Sequence, residues 1–460
     1  MNDAPLWTPS TERIAGTRLA SFMEFAGRRA DRQFGDYDAL YQWSITEREA
    51  FWRAVWDFFQ IQGIRPDRSV TLDSNAMPGA RWFPDARLNF AENLLRRRDD
   101  HPALVFRGED GHRELVTYAQ LYASVARLAG ALRTAGVAPG DRVAGFMPNR
   151  PETVIAMLAT VSIGAIWSSC SPDFGTNGVL DRFGQIRPKV LFTADGYYYN
   201  GKTIDSLAPI AGVLEHLDSI EHVIVVPFIT AAPAISTIDK AVLWKAFLGD
   251  DTEVTFEAMP FNHPLYVMYS SGTTGVPKCI VHGAGGTLLQ HVKEHGLHTD
   301  LGPDDVLFYF TTCGWMMWNW LVSGLAQGAT LVLYDGSPFA PDPGSLWRMA
   351  EQEGVTVFGT SAKYLEALEK AGERPAQSFD LSKLRALLST GSPLAPTSFD
   401  YVYREIKADL QLSSISGGTD IISCFTLGCP ILPVYRGELQ CRGLGMVVEI
   451  WDDSGNPVVG

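Results

Sequence analysis

The sequence predicts an α/β fold, with two parallel-sheet βα subdomains followed by a smaller β-rich subdomain. Three observations predict it. The chain has 460 residues, more than one hydrophobic core usually supports. Helix-like and strand-like apolar patterns alternate along it in two sets, the mark of βαβ units on parallel sheets. After Gly428 the pattern changes to short strands and turns.

The elements follow in order. The first hundred residues are rich in tryptophan and helix formers. "SITEREAFWRAVWDFFQI" opens with a capping box of Ser44 and Glu47 and sets Phe51, Val55, Phe58 and Phe59 on one helical stripe. "RWFPDARLNFAENLL" reads as an aromatic turn into a short helix. Thr117 and Gln120 form a second capping box for "YAQLYASVARLAGALRTAG", which Gly136 closes, and "PGDRVAGFM" turns into a strand. A helix from Pro151, a strand "AIWSSC", a helix near 176–186 and a strand "KVLFTAD" complete the first set. The second set is "PLYVMYS", "DVLFYFT", "ATLVLYD", "VTVFGTS", "LRALLST" and "DLQLSSIS". Segment 230–262 separates the sets. The expected division is a helical and aromatic extension over 1–100, a first βα subdomain over 101–235, a second over 236–428, and a β-rich unit over 429–460. In that last unit "GELQ" and "GMVVEIWDD" read as strands and "DSGNP" as a turn.

Composition narrows the function. Hydrophobic residues make up 46% of the chain and the formal charge is −14. That charge argues against a general nucleic-acid binder, which needs a basic face. A polyanionic ligand would have to be held by local donors and a cation. No stretch of 18 apolar residues occurs, so no membrane span is expected, and no basic-then-apolar leader opens the chain. The six cysteines form no CxxC pair and read as reduced, mostly buried thiols of a cytoplasmic protein.

The segment "YVMYSSGTTGVPKCIVHGAGG" gathers glycines, hydroxyls and one lysine between two apolar runs. An ordinary Walker loop needs glycine before the lysine and a hydroxyl after it. Here Pro277 precedes Lys278 and Cys279 follows. Backbone N–H groups in a glycine turn still make an anion nest, so phosphate binding stays open beside a serine/glycine surface turn. "HVKEH", with His291, Glu294 and His295, matches the inverted zinc-peptidase pattern, and histidines at i and i+4 share a helix face.

"YSSGTTGVPK" closely resembles the signature loop of the acyl-adenylate-forming enzymes, the superfamily of AMP-dependent acyl-CoA synthetases, luciferases and peptide-synthetase adenylation domains. "RWFPDARLNFAENLL", "TTCGWMMWNW", "GSPL" and "SGGTD" are similar to further segments of short-chain acyl-CoA synthetases, in the same order. The resemblance implies the large N-terminal domain of such an enzyme, using ATP, Mg2+ and coenzyme A to join an acid to a thiol through an acyl-AMP. Ser270, Ser271, Gly272, Thr273, Thr274, Gly275 and Lys278 would hold the β- and γ-phosphates. Thr419 would contact the α-phosphate, and Asp420 would bind magnesium, directly or through water. Gly391, Ser392 and Pro393 would line the adenine with Ser414, Ile415, Ser416, Gly417 and Gly418; Ser414 stands where short-chain relatives carry an acid. Lys278, Thr419 and Asp420 are the catalytic candidates.

The same resemblance speaks to substrates. Acetate-specific relatives floor the acyl pocket with tryptophan where this chain has Gly417, so acetate is expected to be poor. Trp315, Met316, Met317, Trp318 and Thr390 would shape the pocket with Gly417. The form of "SGGTD" and "RWFPDARLNFAENLL" points to the branch that activates acetoacetate, with a propionate- or butyrate-like acid as the alternative. Tyr199 and Lys202 stand where relatives bind the coenzyme A 3′-phosphate with arginines. The ribose-binding aspartate, the hinge and the mobile domain with the adenylation lysine are expected beyond Gly460, so this chain alone is expected to bind nucleotide at best weakly and to be inactive or weakly active. A non-catalytic binder of acyl-adenylate is the remaining rival.

Overall fold

The computed structural model describes residues 4–66, 70–270 and 275–458. Two seven-stranded sheets form the body. The first runs, in spatial order, Ala241–Leu243, His222–Val226, Val190–Ala194, Arg142–Phe146, Ile166–Cys170, Pro264–Ser270 and Lys278–Gly283. The second runs Gln411–Ser414, Ala386–Thr390, Val357–Ser361, Val306–Tyr309, Thr330–Asp335, Pro102–Gly108 and Arg113–Thr117. In both, every neighbouring pair is parallel except the last, which is an antiparallel hairpin. Leaving the hairpins aside, the other five strands of each sheet start from a central one (Arg142–Phe146 or Val306–Tyr309), add one neighbour on one side and place the remaining three on the other. Helices cover the sheets, which is why strands such as Val190–Ala194 are apolar and buried along their whole length.

The strands expected from the pattern are present, but their sheet membership differs at one point. Pro264–Ser270, grouped with the second set in sequence, pairs with Ile166–Cys170 in the first sheet. Pro102–Gly108 and Arg113–Thr117, from the first expected subdomain, belong to the second sheet. A strand's apolar pattern declares that it is buried, not which neighbour it takes. The sheets are therefore not the contiguous blocks 101–235 and 236–428.

The capping expectations divide in the same way. Thr117 and Gln120 make a full capping box on helix Tyr118–Thr134, and Gly136 follows that helix with φ +78°. Ser44 instead lies inside helix Tyr37–Thr46. Its hydroxyl donates to the Tyr41 carbonyl and accepts the Gly445 N–H, while Glu47 leads helix Arg48–Phe58 without a side-chain cap. The predicted stripe is real: Phe51 and Val55 are buried, and Phe22, Phe51, Trp43 and Phe58 meet edge to face. This aromatic layer packs against helix Ala284–Lys293 and a π-helical turn, Glu294–His298.

The β-rich unit begins earlier than expected. Ser416–Gly418, Ser423–Leu427 and Cys441–Arg442 form a three-stranded antiparallel sheet. "GELQ" is a turn and extended chain, with Gly437 at φ +79°, rather than a strand. Within "GMVVEIWDD" only Ile450–Trp451 is strand, and it pairs with Pro457–Val458 around the expected turn. All six cysteines are unpaired. Among the described residues no helix is long and apolar enough to cross a membrane.

Candidate active site

The carboxyl ends of parallel strands are where open α/β sheets leave a crevice for ligands. In the second sheet, adjacent strands Ala386–Thr390 and Gln411–Ser414 end side by side. Their continuations converge on a cavity of about 380 Å³ lined by Thr390, Gly391, Ser392, Pro393 and Leu394 on one side and Ser414, Ile415, Ser416 and Gly417 on the other. Ile415 N–H donates to the Ser389 carbonyl at 2.8 Å, and the Thr390 hydroxyl donates to the Ile415 carbonyl at 3.2 Å. These bonds carry the sheet past the strand ends and fix the cavity walls. Gly391 makes the turn at φ +89°, a conformation glycine adopts without steric cost. Gly437 and Leu439 close the rim. Sequence reasoning missed both, because it read their segment as a strand; the cue was the glycine.

The glycine-rich hairpin stands at the edge of the first sheet. Ser270 and Lys278 face each other at its base, and Lys278 is exposed. Ser271, Gly272, Thr273 and Thr274 lie outside the described residues. Gly275, at φ +137°, has open space around it, and the Gln185 amide holds the Pro277 carbonyl at 2.8 Å. The return strand leads to His282, whose Nε2 lies 2.7 Å from the Thr419 carbonyl. A carbonyl only accepts, so that nitrogen carries the proton. Burial pushes the imidazole's pKa down, against the opposing influence of the Thr419 carbonyl and Asp420. Thr419 is half-buried and Asp420 exposed, on the turn that follows Ser416–Gly418. Among the described residues no cluster of three metal-ligating side chains occurs. A magnesium ion at Asp420 would take its remaining oxygens from phosphate and water, which suits that ion.

Gly417 has a second constraint. A Cβ built there would meet the Ser423 carbonyl oxygen at 2.3 Å and the Cys424 Cα at 2.8 Å, both backbone. The residue sits at a register shift between Ser416–Gly418 and Ser423–Leu427, where two backbones approach closely. Glycine here is demanded by packing as well as by room in a pocket.

The aromatic segment separates into exposed and buried parts. Trp315 is 65% exposed, whereas Met316 and Met317 are buried and Trp318 is wholly so. The Trp318 indole donates to Asn149 Oδ1 at 2.9 Å. Trp318 is thus a core residue with its polar edge satisfied, not a wall residue as expected. Tyr199 and Lys202 are opposite each other on the antiparallel hairpin Gly196–Asp205 and both are exposed. Glu109 grips the tip of that hairpin through the Asn200 and Gly201 N–H groups.

The zinc-peptidase reading of "HVKEH" is overturned. His291 uses both ring nitrogens within the protein, Nδ1 against the Ser323 hydroxyl at 2.7 Å and Nε2–H to the Ile422 carbonyl at 2.8 Å. Glu294 accepts from the Trp320 indole, the Ser423 hydroxyl and the Cys424 N–H. His295 lies against Trp320, ring centroids 3.9 Å apart. All three are fully buried, so no substrate reaches them.

A cavity of about 380 Å³ at parallel strand ends, with the glycine-rich hairpin's return strand tied through His282 to the adjoining Thr419 turn, marks the class, and the chain belongs to the AMP-binding enzyme family, which matches residues 90–459. Residues 37–94 match the acetyl-coenzyme A synthetase N-terminus. The chain is 54% identical over 461 residues to the acetoacetyl-coenzyme A synthetase of Rhizobium meliloti (strain 1021), covering 100% of this chain and 70% of that protein. It is 45% identical over 470 residues to the acetoacetyl-CoA synthetase of Gallus gallus, again covering 100% of this chain and 70% of that one. The solved structure of acetoacetyl-CoA synthetase from Streptomyces lividans matches with a TM-score of 0.94 at 48% identity, over 99% of this chain and 71% of that chain. The resemblance carried by "YSSGTTGVPK" and "SGGTD" is borne out at the level of family.

Proposed function

We propose that this protein is an ATP-dependent acid–thiol ligase that activates acetoacetate. The observation that carries the reading is the convergence of Thr390–Pro393 and Ser414–Gly417 on one cavity at the strand ends. The similarity to acetoacetyl-CoA synthetases over the full chain supports the choice of acid.

The reaction has two halves. The acid is ionised at neutral pH, so its carboxylate attacks the α-phosphorus without a general base. The P–O bond to pyrophosphate breaks and acetoacetyl-AMP forms. The work left to the protein is positioning and charge neutralisation. The adenine lies against Gly391, Ser392 and Pro393 and against the backbone of Ser414 to Gly418. Lys278 and the hydroxyls of Ser270, Ser271, Thr273 and Thr274, with the N–H groups near Gly272 and Gly275, hold the β- and γ-phosphates. Thr419 donates its hydroxyl to the α-phosphate, and Asp420 would hold magnesium, directly or through water, with phosphate oxygens supplying further ligands. Magnesium supplies charge neutralisation of the phosphate oxygens. In the second half the coenzyme A thiolate attacks the acyl carbonyl, the thioester forms, and AMP leaves with the electron pair of the broken bond; the thiol proton goes to solvent. Tyr199 and Lys202, side by side and exposed, take the coenzyme A nucleotide, Lys202 through charge and Tyr199 through stacking. Unpaired cysteines support a reducing, cytoplasmic setting.

The test is a panel of short carboxylic acids, read by pyrophosphate release. Acetoacetate should give the highest kcat/KM, with acetate at least ~10-fold lower, a ratio on the scale of a few missing contacts in a pocket. A preference for acetate, propionate or butyrate would overturn the choice of acid.

A further inference from the structure

The phosphate hairpin and the Thr419–Asp420 turn come from distant parts of the chain, yet they are mechanically joined. Strand Lys278–Gly283 pairs with Pro264–Ser270 in continuous register from Lys278 to His282. Side chains alternate along a strand, so Lys278 and His282 project from the same face. At one end that face presents an exposed ammonium group beside the glycine loop. At the other, His282 Nε2–H donates to the Thr419 carbonyl at 2.7 Å. Among the described residues His282 is the side chain that hydrogen-bonds this Thr–Asp pair, and its ring is half-buried.

The far end of the same turn is held by the next stretch of the same segment. His291 Nε2–H donates to the Ile422 carbonyl at 2.8 Å. Glu294 accepts from the Ser423 hydroxyl and from the Cys424 N–H at 3.1 Å. His291 and Glu294 of "HVKEH", useless for zinc, thus hold the far end of the turn while His282 holds its exposed end.

We infer that His282 is a positioning residue for the nucleotide phosphates. By fixing the Thr419 carbonyl it orients the Thr419 hydroxyl and the Asp420 carboxylate toward the strand face that carries Lys278, so that hairpin and turn act as one clamp on the magnesium nucleotide. This inference rests on the reading of Lys278, Thr419 and Asp420 as phosphate and magnesium groups.

Calorimetric titration of the 460-residue chain with MgATP and with adenosine tests it. His282→Leu fills the half-buried space without donating and should lower MgATP affinity about fivefold to tenfold, the worth of one hydrogen bond. Adenosine affinity should be unchanged, because the base cavity does not depend on the turn's orientation. His282→Gln places an amide donor at nearly the reach of Nε2 and should restore MgATP affinity to within about twofold. His282→Asn, a methylene shorter, should behave like the leucine variant. Wild-type MgATP affinity in His282→Leu and His282→Asn overturns the inference. So does equal loss in the glutamine and asparagine variants, or a parallel fall for adenosine, which would mark a general packing defect. A wild-type chain that binds no MgATP overturns the underlying assignment of function itself.

Discussion

Asp335 closes a strand of the second sheet with its side chain half-buried and one carboxyl oxygen shut off from water. One oxygen accepts the Asn149 N–H at 3.1 Å, and the other has no partner among the described residues. Burial pushes its pKa up to about 7, from an ordinary 3.8. Between those values the native state keeps a proton that the unfolded state has released, so this group's contribution to stability falls as pH rises from about 4 to about 7 and stays low above that. Asp335→Asn removes the cost of the buried charge. The variant should unfold at the same denaturant concentration as wild type near pH 4 and be more stable near pH 8, by up to about 4 kcal/mol. Equal stability at both pH values would show that water reaches the carboxylate. Lys278 poses the opposite case, an exposed cation whose value appears only with ligand. Lys278→Ala should leave thermal unfolding unchanged and weaken MgATP binding roughly 10- to 100-fold, the range for a charge-assisted hydrogen bond; calorimetry reads it directly.

At the scale of elements, local chemistry was legible in the sequence and distant competition was not. Thr117 and Gln120 cap a helix because both partners of each bond lie within one turn. Thr117→Ala should therefore cost about 1 kcal/mol in urea unfolding. Ser44 and Glu47 have the same spacing, but the Ser44 hydroxyl accepts an N–H from Gly445, a residue 401 positions away, so the pattern misleads. Gly417 shows how one residue type serves two readings. Resemblance assigned it to pocket size, whereas the close approach of Ser423 and Cys424 backbones shows that any side chain disturbs the turn carrying Thr419. Gly417→Ala should then impair MgATP binding as well as acid selectivity. If only acid selectivity changes, the backbone contact is softer than its distances indicate. Trp318 was placed in the acyl pocket because tryptophan next to methionine fits a pocket wall as well as a core, and only its bond to Asn149 separates the two.

For the whole molecule, each sheet ends in an antiparallel hairpin, and the proposed site draws on both sheets: a cavity at the strand ends of the second and the glycine-rich hairpin at the edge of the first. The residues that line the cavity were legible because the segments holding them are short, glycine-marked and ordered along the chain. His282 was not, because a histidine in a strand carries no signal until its partner across the molecule is seen. The exchange of hairpins between sheets was invisible for the same reason. The central claim is that this one chain builds a pocket for acetoacetyl-adenylate. Titration with a non-hydrolysable acetoacetyl-adenylate mimic, against the matching acetyl mimic, tests it most directly. The account predicts one site per chain and at least ~10-fold tighter binding of the acetoacetyl compound; failure to bind either, or a preference for the acetyl mimic, would contradict it.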